Sequence, residues 1–308
     1  MSGSWNPAAG GAIRGRFAPT PSGPLHLGSL VTALASYLSA KSAGGRWLLR
    51  IDDLDRPRVV PGAEADIRRA LEAHGLHWDE EPRRQSEHVQ DYLAALMQLE
   101  SQGLLYRCDC TRLRLATQSP VRRFGPVYDG HCREHPPPSA AAVALRLRLP
   151  ERPLGFTDGI LGATQTALGE EIGDFVVRRR DGIIAYQLAC VVDEQAMSVT
   201  EVVRGHDLLS STFQQLTLME LRGQTAPQYA HVPVLVDAAG RKLSKQNHAR
   251  RIEAADAASN LLRCLRLLGQ ETPSCFSGRT PVPEVLDWAM AHWRIEAVPP
   301  RETVADHR

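Results

Sequence analysis

The chain has 308 residues, enough for one large domain or two to three smaller ones. It is 43% hydrophobic and 23% charged, with a formal net charge of +1, which is an ordinary globular composition and not a polycation. Any contact with nucleic acid must then come from local basic patches. The opening stretch MSGSWNPAAGG has no basic segment followed by an apolar one, so no signal peptide is expected. Residues 17–40 carry no formal charge, but Pro19, Pro21 and Pro24 break a membrane span there. The expectation is a cytoplasmic protein, whose six cysteines are candidates for metal ligands or inert thiols and not for disulfides.

In chain order, AIRGRFA (12–18) reads as a short strand and PTPSGP as turn chemistry. Leu30, Leu34, Tyr37 and Leu38 fall at helical spacing, with Gly28 or Ser29 able to cap the start and Gly44-Gly45 ending it. RWLLRID (46–52) reads as a buried strand, which completes a strand–loop–helix–strand unit suited to a parallel sheet. Pro61 suits a helix start running to about His74, closed by Gly75. Ser86 is a candidate cap for a helix with Val89, Leu93, Leu96 and Met97 on one face. Residues 108–138 are irregular and hold three cysteines, while AVALRLRLP (142–150) alternates as a half-exposed strand would. Residues 174–194 read as two strands around an Asp-Gly turn, the second leading into a helix. TEVVRGHDLLSST is a strand, loop and helix, VPVLVDAAGR is a strand and turn before KLSKQ, and from Ala254 the pattern is helical to the end.

GPLHLGS (23–29) lacks the lysine of a P-loop, and no two glycines stand two apart, so neither common nucleotide fingerprint applies. A helix N-terminus still offers free N–H groups and a positive dipole to an anion, and His26 sits one short turn before it. KLSKQ places two lysines and a serine in a loop, where they suit the phosphates of a nucleotide.

HLGS and KLSKQ resemble, in order and wide separation, the two signatures of class I aminoacyl-tRNA synthetases. GRFAPTPSGPLHLGSL, RWLLRIDDLDRPR, GLHWDE, YDGHCR, VTEVVRGHDLL and KLSKQNHA resemble, more closely, the glutamyl-queuosine tRNA(Asp) synthetases, shortened relatives of the glutamyl enzymes. The fold this implies is α/β, a doubly wound parallel sheet with a Rossmann-type core, an inserted zinc-bearing subdomain and a short helical C-terminal region. The expected division is a catalytic domain in two halves (12–105 and 172–250), an inserted subdomain (106–171) and the C-terminal region (251–308). Only 63 residues follow Lys245, so no anticodon-binding domain is expected.

The resemblance implies ATP- and Mg²⁺-dependent activation of L-glutamate and its transfer to queuosine in the anticodon of tRNA(Asp), by a monomer with no membrane association. It places glutamate against the stretch Arg16, Phe17, Ala18, Pro19 and Thr20, and against Asp52, Tyr186 and Arg204. Asp52 stands where the family usually has glutamate, and an arginine fork suits a carboxylate. ATP falls to His26, Gly28, Ser29, Lys242, Ser244 and Lys245, with His26 and Lys245 catalytic; Ser29 replaces the second histidine of the signature. Cys108, Cys110 and Cys132 offer three thiolates of a tetrahedral zinc site. Spacing alone would add His135, with His131 close by, whereas the resemblance puts Tyr128 fourth. Cys190, Cys264 and Cys275 are isolated. Arg112, Arg114, Arg122, Arg123 and Arg178–Arg180 form basic patches that could follow an RNA backbone. The rival readings are a nucleotidyltransferase that needs no tRNA, a non-catalytic zinc-bearing RNA module, and an enzyme that charges a tRNA 3′ end.

Overall fold

The computed structural model describes residues 12–237, 240–242 and 250–305. β1 (Arg14–Phe17), α1 (Leu27–Ser42) and β2 (Arg46–Ile51) form the expected unit, and the two strands pair parallel with Arg16 opposite Leu48. The cap differs from expectation. His26, not Gly28 or Ser29, occupies it, and its Nδ1 accepts the Ser29 N–H at 3.2 Å. At the other end Gly44 has φ of 69°, and a Cβ on Gly45 would stand 2.5 Å from the Ile13 carbonyl oxygen. Only glycine lets the chain turn back this tightly onto β1.

α2 (Ala63–Ala73) follows, and β3 (Arg83–Arg84) adds a third parallel strand beside β2. α3 (Val89–Ser101) is preceded by His88 at its cap. Ser86 instead gives its N–H and hydroxyl to Asp53, at 2.8 and 2.6 Å. The buried face of α3 is Tyr92, Ala95, Leu96 and Leu99, and Met97 is 68% exposed, so the helix is rotated from the expected face. β4 (Leu105–Cys108), α4 (Arg112–Gln118), β5 (Val121–Arg122), β6 (Gly125–Pro126) and α5 (His131–Glu134) carry the cysteines. β7 (Ala144–Leu147) runs antiparallel to β4. The expected alternation holds around it: Val143, Leu145, Leu147 and Leu149 are buried while Ala142 and Arg148 are exposed, and Arg146 departs from the pattern by being buried against Cys108.

A hairpin of β8 (Pro153–Asp158) and β9 (Gly162–Ala167) comes next, in a stretch where no strand was expected. β10 (Val176–Arg178) pairs antiparallel with the free side of β7 and leads through the Asp-Gly turn to α6 (Tyr186–Ala196). β11 (Glu201–Gly205), α7 (Leu209–Leu221), β12 (Gln228–Val232) and β13 (Val234–Val236) follow. β11, β12 and β8 run parallel, in the order β11-β12-β8-β9. The start of β1 meets the residue before β11, where the Thr200 N–H reaches the Arg14 carbonyl at 3.0 Å, so the parallel sheet of β1, β2 and β3 lies edge to edge with the parallel strands β11, β12 and β8, which β9 extends antiparallel. The C-terminal region is helical in α8 (Ala257–Leu267) and α9 (Val282–His292), but it closes with a strand, β14 (Thr303–Ala305), parallel to β13. Among the described residues no helix is long and apolar enough to cross a membrane.

The main core wraps α1. Leu30, Val31, Leu34 and Leu38 are fully buried, in one cluster with Trp47 and Leu49 of β2, Leu261 and Leu265 of α8, and Val285 of α9. Each such side chain contributes about 1.5–3 kcal/mol. Glu201 of β11 is an exception to this apolar surround. A Cβ on Gly15 would meet Ala40 at 3.0 Å and the Glu201 carboxylate at 3.9 Å, so the acid lies against α1 and β1. Burial pushes its carboxyl up to about 7, with Ser39 pulling weakly the other way. A folded pKa above the unfolded one means stability present below the ordinary glutamate value and lost as pH rises through about 7. Glu201→Gln is therefore expected to melt higher than the parent at pH 8, by on the order of 2 kcal/mol. The gap should close by pH 5. Melting curves across that range test it; a variant less stable at both pH values contradicts it.

Candidate active site and metal cluster

A cavity of about 580 Å³ opens at the carboxyl ends of β1 and β11, against the N-terminus of α1. Ligands of open α/β sheets bind at such strand ends. Arg16, Phe17, Ala18, Pro19, Thr20, His26, Gly28, Ser29, Tyr186, Arg204 and Lys242 of the expected set all line it. Asp52 does not. It lines an adjoining cavity of about 250 Å³, which shares Thr20, Arg58 and Tyr186 with the first. Ser244 and Lys245 lie outside the described residues.

At the α1 end of the cavity, His26 serves the helix and the cavity together. With Nδ1 accepting the Ser29 N–H, the neutral ring carries its hydrogen on Nε2, which lies 3.2 Å from Ser29 Oγ. If Nε2 donates to that oxygen, the serine hydrogen remains for an anion. The hydroxyl in place of the second signature histidine thus sits in the imidazole's own hydrogen-bond chain. Lys242 reaches the same cavity and pairs with Asp207. On the other flank of KLSKQ, Arg251 bridges to His26 and the Ile252 N–H donates to the Leu25 carbonyl at 3.1 Å. The described C-terminal flank of the second signature is therefore fastened to Leu25 and His26, where the first begins.

At the other end the charges come in buried sets. Arg16 is 3% exposed and holds Glu194 through Nε and Nη2, both at 3.2 Å. Arg50, fully buried, grips Asp52 through Nε at 2.7 Å and Nη2 at 3.2 Å. The same Nη2 lies 3.1 Å from the Cys190 thiol, and Asp193 is 3.7 Å from Nε. Burial raises the pKa of Asp52, and Arg50 offsets this only in part. The shorter acid is thus paired with an arginine two residues before it, on the strand that it follows. Arg50, Asp193 and Glu194 were missed in the sequence, although all three stand inside stretches that drew attention, RWLLRIDD and ACVVDE. Two arginines and a tyrosine around one cavity make a receptor for a small carboxylate; the helix end beside them suits a phosphate chain.

The three thiols of Cys108, Cys110 and Cys132 lie within 4.8 Å of one another. Tyr128 Oη is 3.6 Å from both the Cys108 and Cys110 sulfurs and accepts the Cys132 N–H at 2.8 Å. Zinc–sulfur bonds of ~2.3 Å in a tetrahedron would place the ligand atoms about 3.8 Å apart, so the donor set fits such an ion. His135 is exposed and bound to the His131 carbonyl, away from the thiols. Arg146 donates to Cys108 Sγ at 3.2 Å and lays its guanidinium 3.7 Å over the Tyr128 ring. Burial works against a Cys108 thiolate, but Arg146 outweighs it and the thiol titrates low. Of the basic patches, Arg112, Arg122, Arg123 and Arg180 are exposed, while Arg114 pairs with Asp129 and Arg179 with Asp55.

The sequence profile of class I tRNA synthetases (E and Q), catalytic domain, matches residues 12–274. A glutamyl-Q tRNA(Asp) synthetase of Ectopseudomonas mendocina is 49% identical over 96% of this chain and 98% of its own. The Thiobacillus denitrificans protein of the same name is 48% identical over 97% and 98%. The chain belongs to the glutamyl-Q tRNA(Asp) synthetases, within the class I synthetases for glutamate and glutamine. A crystal structure of a glutamate tRNA ligase from Elizabethkingia meningosepticum in complex with its amino acid superposes with a TM-score of 0.78. It is 26% identical, over 95% of this chain and 67% of that one. The glutamate-tRNA synthetase of Elizabethkingia anophelis gives 0.79, at 26% identity over 96% and 68%. The class I synthetase fold expected from HLGS and KLSKQ, of the glutamyl type implied by the longer stretches, is thus the fold of this chain.

Proposed function

We propose that the chain activates L-glutamate with ATP and Mg²⁺ to glutamyl-adenylate, without tRNA, and then transfers the glutamyl group to queuosine in the anticodon of tRNA(Asp). One observation carries this reading: Arg16, Tyr186 and Arg204 line the same cavity as His26, Ser29 and Lys242. A carboxylate held by the arginines can then face a phosphate chain held at the α1 N-terminus. A glutamate carboxylate oxygen attacks the α-phosphorus and pyrophosphate leaves. His26, Ser29 and Lys242 stabilise the charge that gathers on the departing group, joined by Lys245. In transfer, a hydroxyl of the queuosine cyclopentene-diol attacks the glutamyl carbonyl, AMP departs and the hydroxyl proton is lost. That cis-diol stands in for a terminal ribose diol, so one activated ester chemistry serves. Single-stranded anticodon bases can be splayed into a pocket, and Arg112, Arg122, Arg123 and Arg180 would follow the backbone beside them. Cys108, Cys110, Tyr128 and Cys132 would hold one Zn²⁺, which supplies a structural cross-link in the inserted subdomain. The catalytic halves 12–105 and 172–250, the insert 106–171 and the tail 251–308 then act as one cytoplasmic monomer.

Glutamate-dependent ATP–pyrophosphate exchange in the absence of tRNA tests the first step. Labelled glutamate offered with tRNA(Asp) from cells able and unable to make queuosine tests the second. Exchange with glutamate, and label only on queuosine-bearing tRNA, is the expected pair of results. Label on the 3′-terminal adenosine would move the assignment to ordinary charging.

A further inference from the structure

From the carboxyl ends of β11 and β12 a line of polar side chains runs from the cavity wall into the core. Arg204, Thr212, His231 and Asp158 are at most 2% exposed. Asp158 Oδ2 lies 2.5 Å from His231 Nδ1, and His231 Nε2 lies 2.9 Å from Thr212 Oγ1 and 3.4 Å from Arg204 Nε. Arg204 Nη2 donates to Thr212 Oγ1 at 2.7 Å and to the Leu208 carbonyl at 3.4 Å. Arg204 Nη1 has no partner among the described residues, in a side chain that lines the cavity. A buried guanidinium nitrogen without an acceptor is costly unless a ligand supplies one.

The hydrogen-bond directions follow from the acid end. An ionised carboxylate only accepts, so Asp158 takes the Nδ1 hydrogen of His231. Burial above all pushes the His231 pKa down to about 4, against the pull of Asp158, so the ring is neutral and its Nε2 is a lone pair. That lone pair accepts the Thr212 hydroxyl and tolerates Arg204 Nε–H. The Thr212 oxygen keeps its own lone pairs for Arg204 Nη2. In the other tautomer Nε2–H would face Nε–H, donor against donor.

We propose that Asp158 and His231, acting through Thr212, are positioning residues that hold the Arg204 guanidinium with Nη1 presented to a carboxylate of glutamate. The proposal rests on the glutamate-activation reading above. Asp158→Asn is the sharpest test. Asp158 Oδ1 accepts the N–H groups of Ile160 and Leu161, both at 2.9 Å, and an asparagine oxygen can keep both. Its amide, however, turns the acceptor toward His231 into a donor and forces the wrong tautomer. The KM for glutamate in exchange, and the calorimetric Kd, should rise at least about tenfold. The KM for ATP should stay within about twofold. Thr212→Val should shift glutamate affinity the same way, and Thr212→Ser, which restores the hydroxyl, should recover most of it. Unchanged glutamate affinity in folded Asp158→Asn and Thr212→Val overturns the proposal. So does a parallel rise of both KM values, which would mean general damage. If Asp158→Asn does not fold, the Val and Ser variants at position 212 decide. Absence of glutamate-dependent exchange in the unaltered protein is a separate result, and it removes the functional reading and this inference together.

Discussion

His26→Ala should lower glutamate-dependent pyrophosphate exchange by about 10²-fold or more, the size of losing one preorganised contact to developing charge. Two losses are mixed in that number. The ring is also the cap of α1, through Nδ1 and the Ser29 N–H, and losing a cap costs about 1 kcal/mol of stability. His26→Asn separates them. An asparagine oxygen is a good cap for the same N–H, but it brings no imidazole to the cavity. The asparagine variant should melt close to the parent and still be slowed nearly as much as the alanine one. Exchange at the parent rate in His26→Asn would mean that the histidine only shapes the helix start.

Removing a ligand of the proposed zinc site should have the largest effect on order. Structural zinc sites in small modules supply an apparent ~10 kcal/mol or more of folding free energy. Here the thiols, Tyr128 and a few neighbours form a cluster of their own, apart from the core around α1. Cys110→Ser should therefore reduce bound zinc well below one per chain and loosen residues 106–135, while the α1 core keeps its cooperative melt. Elemental analysis and proteolysis of the variant test this. Tyr128→Phe should lower zinc content more than His135→Ala does; the reverse would hand the fourth place to His135. A parent protein without metal would show that the three cysteines are only buried thiols.

Why some of this was legible and some not follows from the range of each interaction. The β1–α1–β2 unit is local: its turn prolines, its apolar spacing and its closing glycines lie within forty residues (Ile13 to Asp52), and it was read almost as it stands. The cap was misplaced because serine is the usual capper, and nothing local shows a histidine turning its Nδ1 back. The hairpin of β8 and β9 has no strong alternation of its own and depends on β12, some seventy residues away, where Asp158 pairs with Tyr229. The thiol cluster was legible by spacing, which added His135 to it; Tyr128 came only through the family resemblance, and its hydroxyl does stand among the thiols. The buried polar pairs were the least legible. Arg16 of β1 meets Glu194 of α6, and His231 of β12 meets Asp158 of the neighbouring β8, so no pattern in the intervening sequence announces either.

The burial of α1 on every side carries a further implication for how the molecule breathes. Sub-global opening starts where few apolar contacts hold an element, and helices wedged between a sheet and two other helices open last. α1 is packed that way, between the strands and α8 and α9, so its amide hydrogens belong with the slowest to exchange with solvent. The histidine proposed to meet the nucleotide is thus mounted at the start of a helix packed on every side. On the proposed reading, the His26–Ser29 hydrogen-bond chain stands ready before ATP arrives, with no reorganisation needed at the first chemical step.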